Sequence, residues 1–94
     1  MNGPEPERAT AIIVNKRGLH ARASAKFVET AARFQAEVTV TKGDATVSGR
    51  SIMGLMMLAA SLGTSIELAA QGPDATEAVK ALLALIAAKF HEDA

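Results

Sequence analysis

Ninety-four residues make one small domain, too short to divide into two. Ten basic and ten acidic side chains cancel, so no net field draws the chain to nucleic acid, and the absence of cysteine excludes disulfides and thiolate chemistry. Hydrophobic residues make up 49% but aromatics only 3%, so the core must be built from Ala, Val, Ile, Leu and Met. Residues 1–8 are polar and carry two prolines, and read as a loose tail before a single domain over 9–94. Ala9 to Asn15 contains Ile12-Ile13-Val14, a β-branched run of strand length whose inward side the alternation leaves open. Asn15-Lys16-Arg17-Gly18 is a turn. A helix is expected from about Ala21 to Phe34, with Ala23, Phe27, Ala31 and Phe34 on one apolar face.

From Ala36 to Lys42 the chain alternates, with Ala36, Val38 and Val40 inward, and Ala45 and Val47 form the second arm of a hairpin ending at Ser48. Ser51 suits the N-cap of a second helix, whose stripe is Ile52, Leu55, Met56, Ala59 and Leu62, with Gly63 as its stop. Ile66, Leu68 and Ala70 alternate as a fourth strand. After Gln71-Gly72-Pro73, Asp74 and Glu77 are spaced as a capping box. Val79, Leu82, Leu83, Ile86 and Phe90 then mark the buried face of a last helix, before the polar end His91-Glu92-Asp93-Ala94. Half-polar strands with amphipathic helices argue an α+β domain: a four-stranded antiparallel sheet with three helices on one face, in the order βαββαβα. No stretch reaches the roughly 20 apolar residues of a membrane span, and a soluble, cytoplasmic monomer is expected.

Chemistry concentrates at Gly18-Leu19-His20-Ala21-Arg22. His20 falls at a helix N-terminus, where backbone N–H groups lack intrahelical partners and favour an anion, and Arg22 adds a fixed positive charge. A neutral imidazole is a nucleophile. The bland alternative is an exposed structural histidine beside a glycine. Ser51 likewise reads as a helix cap first. Met56 suits the core, and Met53, at another angle of the wheel, suits an exposed surface. His91 reads as solvated. No carboxylate pair, glycine-rich phosphate loop or metal-ligand cluster occurs, so neither a cofactor nor a metal is expected.

Gly18-Leu19-His20-Ala21-Arg22, together with Gly49-Arg50-Ser51-Ile52-Met53-Gly54-Leu55, resembles the two signatures of HPr, the histidine phosphocarrier of bacterial phosphoenolpyruvate-dependent phosphotransferase systems. The likeness runs from about Thr10 to Phe90. It implies an HPr-like open-faced β-sandwich and a phosphocarrier rather than an enzyme. By that resemblance, His20 takes a phosphoryl group from the phosphorylated first enzyme of the system, with Arg22 as its electrostatic partner, and passes it to a IIA-type acceptor protein. Ser51 would be the site of a regulatory HPr serine kinase/phosphorylase, and Arg22, Ser24, Ile52, Met53 and Met56 would form the docking patch. The runs Val14-Asn15-Lys16 and Phe34-Gln35-Ala36-Glu37-Val38, with the acidic end, look closer to NPr, the relative in the nitrogen-related system. Ala23 stands where many relatives have proline. Glu29 and Ala32 lie where sugar-system members often carry basic residues. Two other readings compete: sugar-uptake HPr, and a regulatory binding module acting through its phosphorylation state. An RNA-binding domain is disfavoured by zero net charge and the lack of tyrosine and tryptophan.

Overall fold

The computed structural model describes residues 5–92. Strands β1 (Glu7–Ile12), β2 (Glu37–Lys42), β3 (Ala45–Ser48) and β4 (Ser65–Gln71) form one antiparallel sheet in the order β1-β4-β2-β3. Helices α1 (Ala21–Ala31), α2 (Ile52–Met57) and α3 (Ala75–Ala87) complete the expected βαββαβα order, and a short 3-10 turn, Lys89–His91, follows. Period-two alternation explains why the sheet has one dry face. Ala9, Leu68, Val40 and Val47 are directly paired in one row across all four strands, and this row faces the helices. The adjacent row, Thr10, Glu67, Thr41 and Thr46, faces solvent. The inward side of β1 is now settled: Ala11 and Ile13 are buried, and Ile12 and Val14 are exposed. Phe27 and Phe90, both fully buried, are the largest side chains of the core.

Several boundaries differ from the sequence reading, each for a local reason. β1 starts at Glu7, not Ala9, because Glu7 and Arg8 pair with Ala70 and Ala69 and backbone pairing does not depend on their polar side chains. The expected tail is shortened accordingly; its residues 1–4 lie outside the described residues, as do Asp93 and Ala94. Helix α1 ends at Ala31, since Arg33 and Phe34 donate three residues back, to Thr30 and Ala31, in a tightened turn.

Helix α2 departs most. It stops at Met57, and Ala59 (φ +53), not Gly63, is the left-handed residue that ends it. Lys42 Nζ caps the end by donating to the carbonyls of Leu58 and Ala59, both at 3.2 Å. The buried residues are Leu55 and Leu58; Ile52, Met56 and Leu62 of the expected stripe are exposed. In α3, Asp74 is at the N-cap but makes no side-chain cap bond. Its Oδ2 instead accepts from the Gln35 backbone N–H at 2.8 Å, so the Asp74–Glu77 capping box is not formed and the carboxylate ties the end of α1 to the start of α3. Val79, Leu82 and Ile86 are buried as expected and Leu83 is partly buried, whereas Phe90 reaches the core from the turn and not from the helix.

Candidate functional site

The histidine loop is set by close backbone approach. Gly18 has φ +65, and a Cβ there would lie 2.4 Å from the Ala60 carbonyl oxygen. Only glycine satisfies both conditions. Leu19 N–H donates to that same Ala60 oxygen at 2.9 Å, which fastens the loop to the segment after α2. Leu19 is buried, and His20 follows as the N-cap residue of α1, extended at φ −74 and ψ −179, with its carbonyl accepting from Ser24 N–H at 2.8 Å. The first N–H groups of α1 therefore begin beside the imidazole, as expected. His20 makes no side-chain cap bond of its own, which leaves its ring for other work.

That ring meets a residue from the far end of the chain. His20 Nε2 is hydrogen-bonded to Glu92 Oε2, and the side chains are 17% and 10% exposed. Glu92 Oε1 accepts from Asn15 Nδ2 at 3.1 Å, and Asn15 Nδ2 also donates to the Gly18 carbonyl at 2.9 Å. Both of those partners are acceptors, which fixes which way the Asn15 amide points. Asn15 is fully buried, and its Oδ1 has no partner among the described residues. Burial alone would raise the Glu92 pKa. Hydrogen bonds from His20 and Asn15, with the charges of His20 and Arg17, outweigh it and hold the carboxyl below its usual 4.5.

The remaining expected site residues scatter. Arg22, in the first turn of α1, is exposed, and its guanidinium makes no ion pair or hydrogen bond with another described residue. Ser24 is corrected: it is fully buried, and its hydroxyl donates to the Leu19 carbonyl at 3.1 Å, so it braces the loop and offers nothing to a partner. Ser51 caps α2, its Oγ accepting from Gly54 N–H at 2.9 Å. Ile52, Met53 and Met56 are all exposed, at 40%, 69% and 40%, which corrects the core placement of Met56. His91 is exposed.

Sequence reasoning missed Asn15 and Glu92 as site residues. Asn15 reads as a turn residue and as part of the run Val14-Asn15-Lys16, although it is a polar residue directly after an apolar run. Glu92 stands 72 positions from His20, and no spacing rule connects them. Among the described residues, no group of three His, Cys, Asp or Glu side chains is placed to hold a metal, and no helix is long and apolar enough to cross a membrane.

Comparison with known proteins agrees with this geometry. Residues 7–88 match a family model described as the PTS HPr component phosphorylation site. The chain is 60% identical over 80 residues to the phosphocarrier protein HPr of Neisseria meningitidis, which spans 85% of this chain and 90% of the relative. It is 45% identical to the phosphocarrier protein NPr of Shewanella violacea, over 85% of this chain and 88% of that one. The solved structure of HPr from Thermoanaerobacter tengcongensis superposes with a TM-score of 0.89 at 45% identity, covering 94% of this chain and 99% of that one. A glycine-pinned loop, a histidine capping a helix and a capped second helix thus occur within a match that spans nearly the whole chain, and the chain belongs to the HPr family of phosphotransferase-system phosphocarriers.

Proposed function

We propose that His20 accepts a phosphoryl group from the phosphorylated first enzyme of a phosphoenolpyruvate-dependent phosphotransferase system and passes it to a IIA-type acceptor, with the protein acting as a monomeric protein substrate and not as a catalyst. The observation that carries this reading is the position of His20. It caps α1 with one ring nitrogen held by Glu92, while Nδ1 has no hydrogen-bond partner among the described residues. The unpaired N–H groups of the first turn and the unengaged guanidinium of Arg22 suit a phosphoryl dianion arriving there. The exposed apolar side chains of Ile52, Met53 and Met56, with Arg22, form the proposed docking patch. Flexible methionines suit a surface that meets two partners in turn.

The nitrogen-related relay is the branch we propose, on the strength of Val14-Asn15-Lys16, Phe34-Gln35-Ala36-Glu37-Val38 and the acidic end. The higher identity to the Neisseria HPr supports a sugar-type HPr as the second reading. Ser51 is proposed as a regulatory phosphorylation site, a phosphate at that helix start being electrostatically favoured. Incubation with phosphoenolpyruvate and either a sugar-type or a nitrogen-type first enzyme, followed by intact mass, tests the function. One acid-labile phosphoryl group, gained faster with the nitrogen-type enzyme, is the expected result. Faster gain with the sugar-type enzyme would move the protein to the second reading, and no gain with either would contradict the relay role.

A further inference from the structure

Helix α2 is six residues long, too short to hold itself in water, so it depends on what is attached to its ends. Ser51 caps the start. At the other end the last carbonyls have no intrahelical donors, and α2 has no basic residue in its last turn to meet the negative end of its dipole. The cation comes from another element. The alternation that turns Val38 and Val40 inward puts Lys42 on the same helix-facing side at the end of β2. Its Nζ donates to the Leu58 and Ala59 carbonyls, both at 3.2 Å. The next carbonyl, that of Ala60, accepts from Leu19 N–H at 2.9 Å and is the one a Gly18 Cβ would strike. Three consecutive carbonyls thus join β2, the end of α2 and the histidine loop.

We infer that Lys42 is a positioning residue for the phosphoryl-transfer surface: it fixes the end of α2, and with it both the exposed α2 side chains of the docking patch and the Ala60 carbonyl that fastens Leu19 beside His20. The inference rests on the proposed docking patch and on His20 as the phosphoacceptor. Ala59 shows why the ammonium is needed. It is left-handed at φ +53, a conformation that a residue with a Cβ resists and that persists only where the surroundings hold it. A charge-assisted bond to its own carbonyl, and a second to the carbonyl before it, supply that hold. Without them Ala59 is free to relax, which lets the last turn of α2 fray and turns the Ala60 carbonyl away from Leu19. The exposed Met56 then loses its fixed place relative to Arg22, and a partner meets a patch that must be ordered as it binds, at a cost in affinity.

The test uses the full chain and two substitutions: Lys42→Met, which keeps an apolar stem and removes the donors, and Lys42→Arg, which keeps charge and donors. Amide hydrogen exchange reports the local hold, and initial rates of phosphohistidine formation from phosphoenolpyruvate and the first enzyme, against carrier concentration, report function. In Lys42→Met the Leu19 and Ala59 amides should exchange about tenfold faster or more relative to the β4 amides, the population change that losing a charge-assisted hydrogen bond produces. The kcat/KM for the carrier should fall roughly three- to tenfold, mainly through KM, as a less ordered docking face requires. Lys42→Arg should restore most of both. A folded Lys42→Met protein with wild-type kcat/KM would overturn the inference. So would exchange accelerated equally at every amide with an unchanged rate, which would make Lys42 a stability residue alone, and so would a Lys42→Arg protein as impaired as Lys42→Met. A wild type that gains no phosphoryl group would overturn the inference together with the relay reading, whereas normal uptake by both wild type and Lys42→Met overturns the inference alone.

Discussion

His20 and Arg22 share a helix turn but have opposite surroundings: the histidine is mostly covered and engaged, the arginine open and unengaged. Arg22→Ala should therefore change stability by less than about 0.5 kcal/mol, as exposed substitutions do. It should slow phosphoryl transfer by roughly 10- to 100-fold, the equivalent of one charge-assisted hydrogen bond of about 1.5–3 kcal/mol. Urea unfolding and initial transfer rates on the same samples check both halves. Glu92 makes the complementary case, because its interactions exist in the folded state alone. Its carboxyl is held below 4.5, so its contribution to stability is fully present above that pH and is lost as pH falls through the lower folded value. Wild type should thus exceed Glu92→Gln in stability near neutrality, and the two should converge as the pH drops well below 4.5; paired denaturation curves across that range show whether they do. Of these residues, His20 and Arg22 were legible as candidates from their motif. Asn15 and Glu92 were not, because their roles come from a turn that brings residue 92 back to residue 20.

Among the elements, the strands were the most legible. A period of two read from Val38, Val40, Ile66, Leu68 and Ala70 maps directly onto one buried face. Helix α2 was the least legible: its length is set by Lys42 reaching from β2 to cap it and by a left-handed Ala59, neither of which has a local signal. Asp74 shows the same limit in another form, since a good capping residue was claimed by a distant amide at Gln35. Ser51 had no such competitor and caps as expected. Ser51→Ala should cost about 1 kcal/mol, and Ser51→Asp, which keeps an acceptor at the cap, only a few tenths. Ser51→Asp should nevertheless be phosphorylated more slowly on His20 if the new charge lies within the docking surface, with partial relief in salt. Rates against carrier concentration at two ionic strengths decide this, and equal rates for two folded proteins would leave Ser51 as a cap alone. Gly18→Ala belongs at this scale too. It combines a clash with Ala60 and a left-handed backbone, and should cost about 1–3 kcal/mol while displacing the histidine loop. Thermal unfolding with the transfer rate measures both effects.

For the whole molecule, the division of labour follows the layers. The sheet's outer face carries the threonine-rich row of Thr10, Thr41 and Thr46 and none of the reactive residues, and everything with chemistry lies on or beside the helices. Zero net charge leaves no general field to hold a partner, which suits a carrier that must leave one protein to reach the next. Two segments distant in sequence meet at the site: β1 runs into the histidine loop, and the turn after α3 returns Glu92 to it. Each feature serves one claim, that His20 is the group that carries phosphate. The most direct measurement compares wild type and His20→Ala, both shown folded, after incubation with phosphoenolpyruvate and the first enzyme. Wild type should gain one phosphoryl group that is lost in acid and His20→Ala none; an acid-labile phosphate on His20→Ala, or an acid-stable one alone on wild type, would contradict the account.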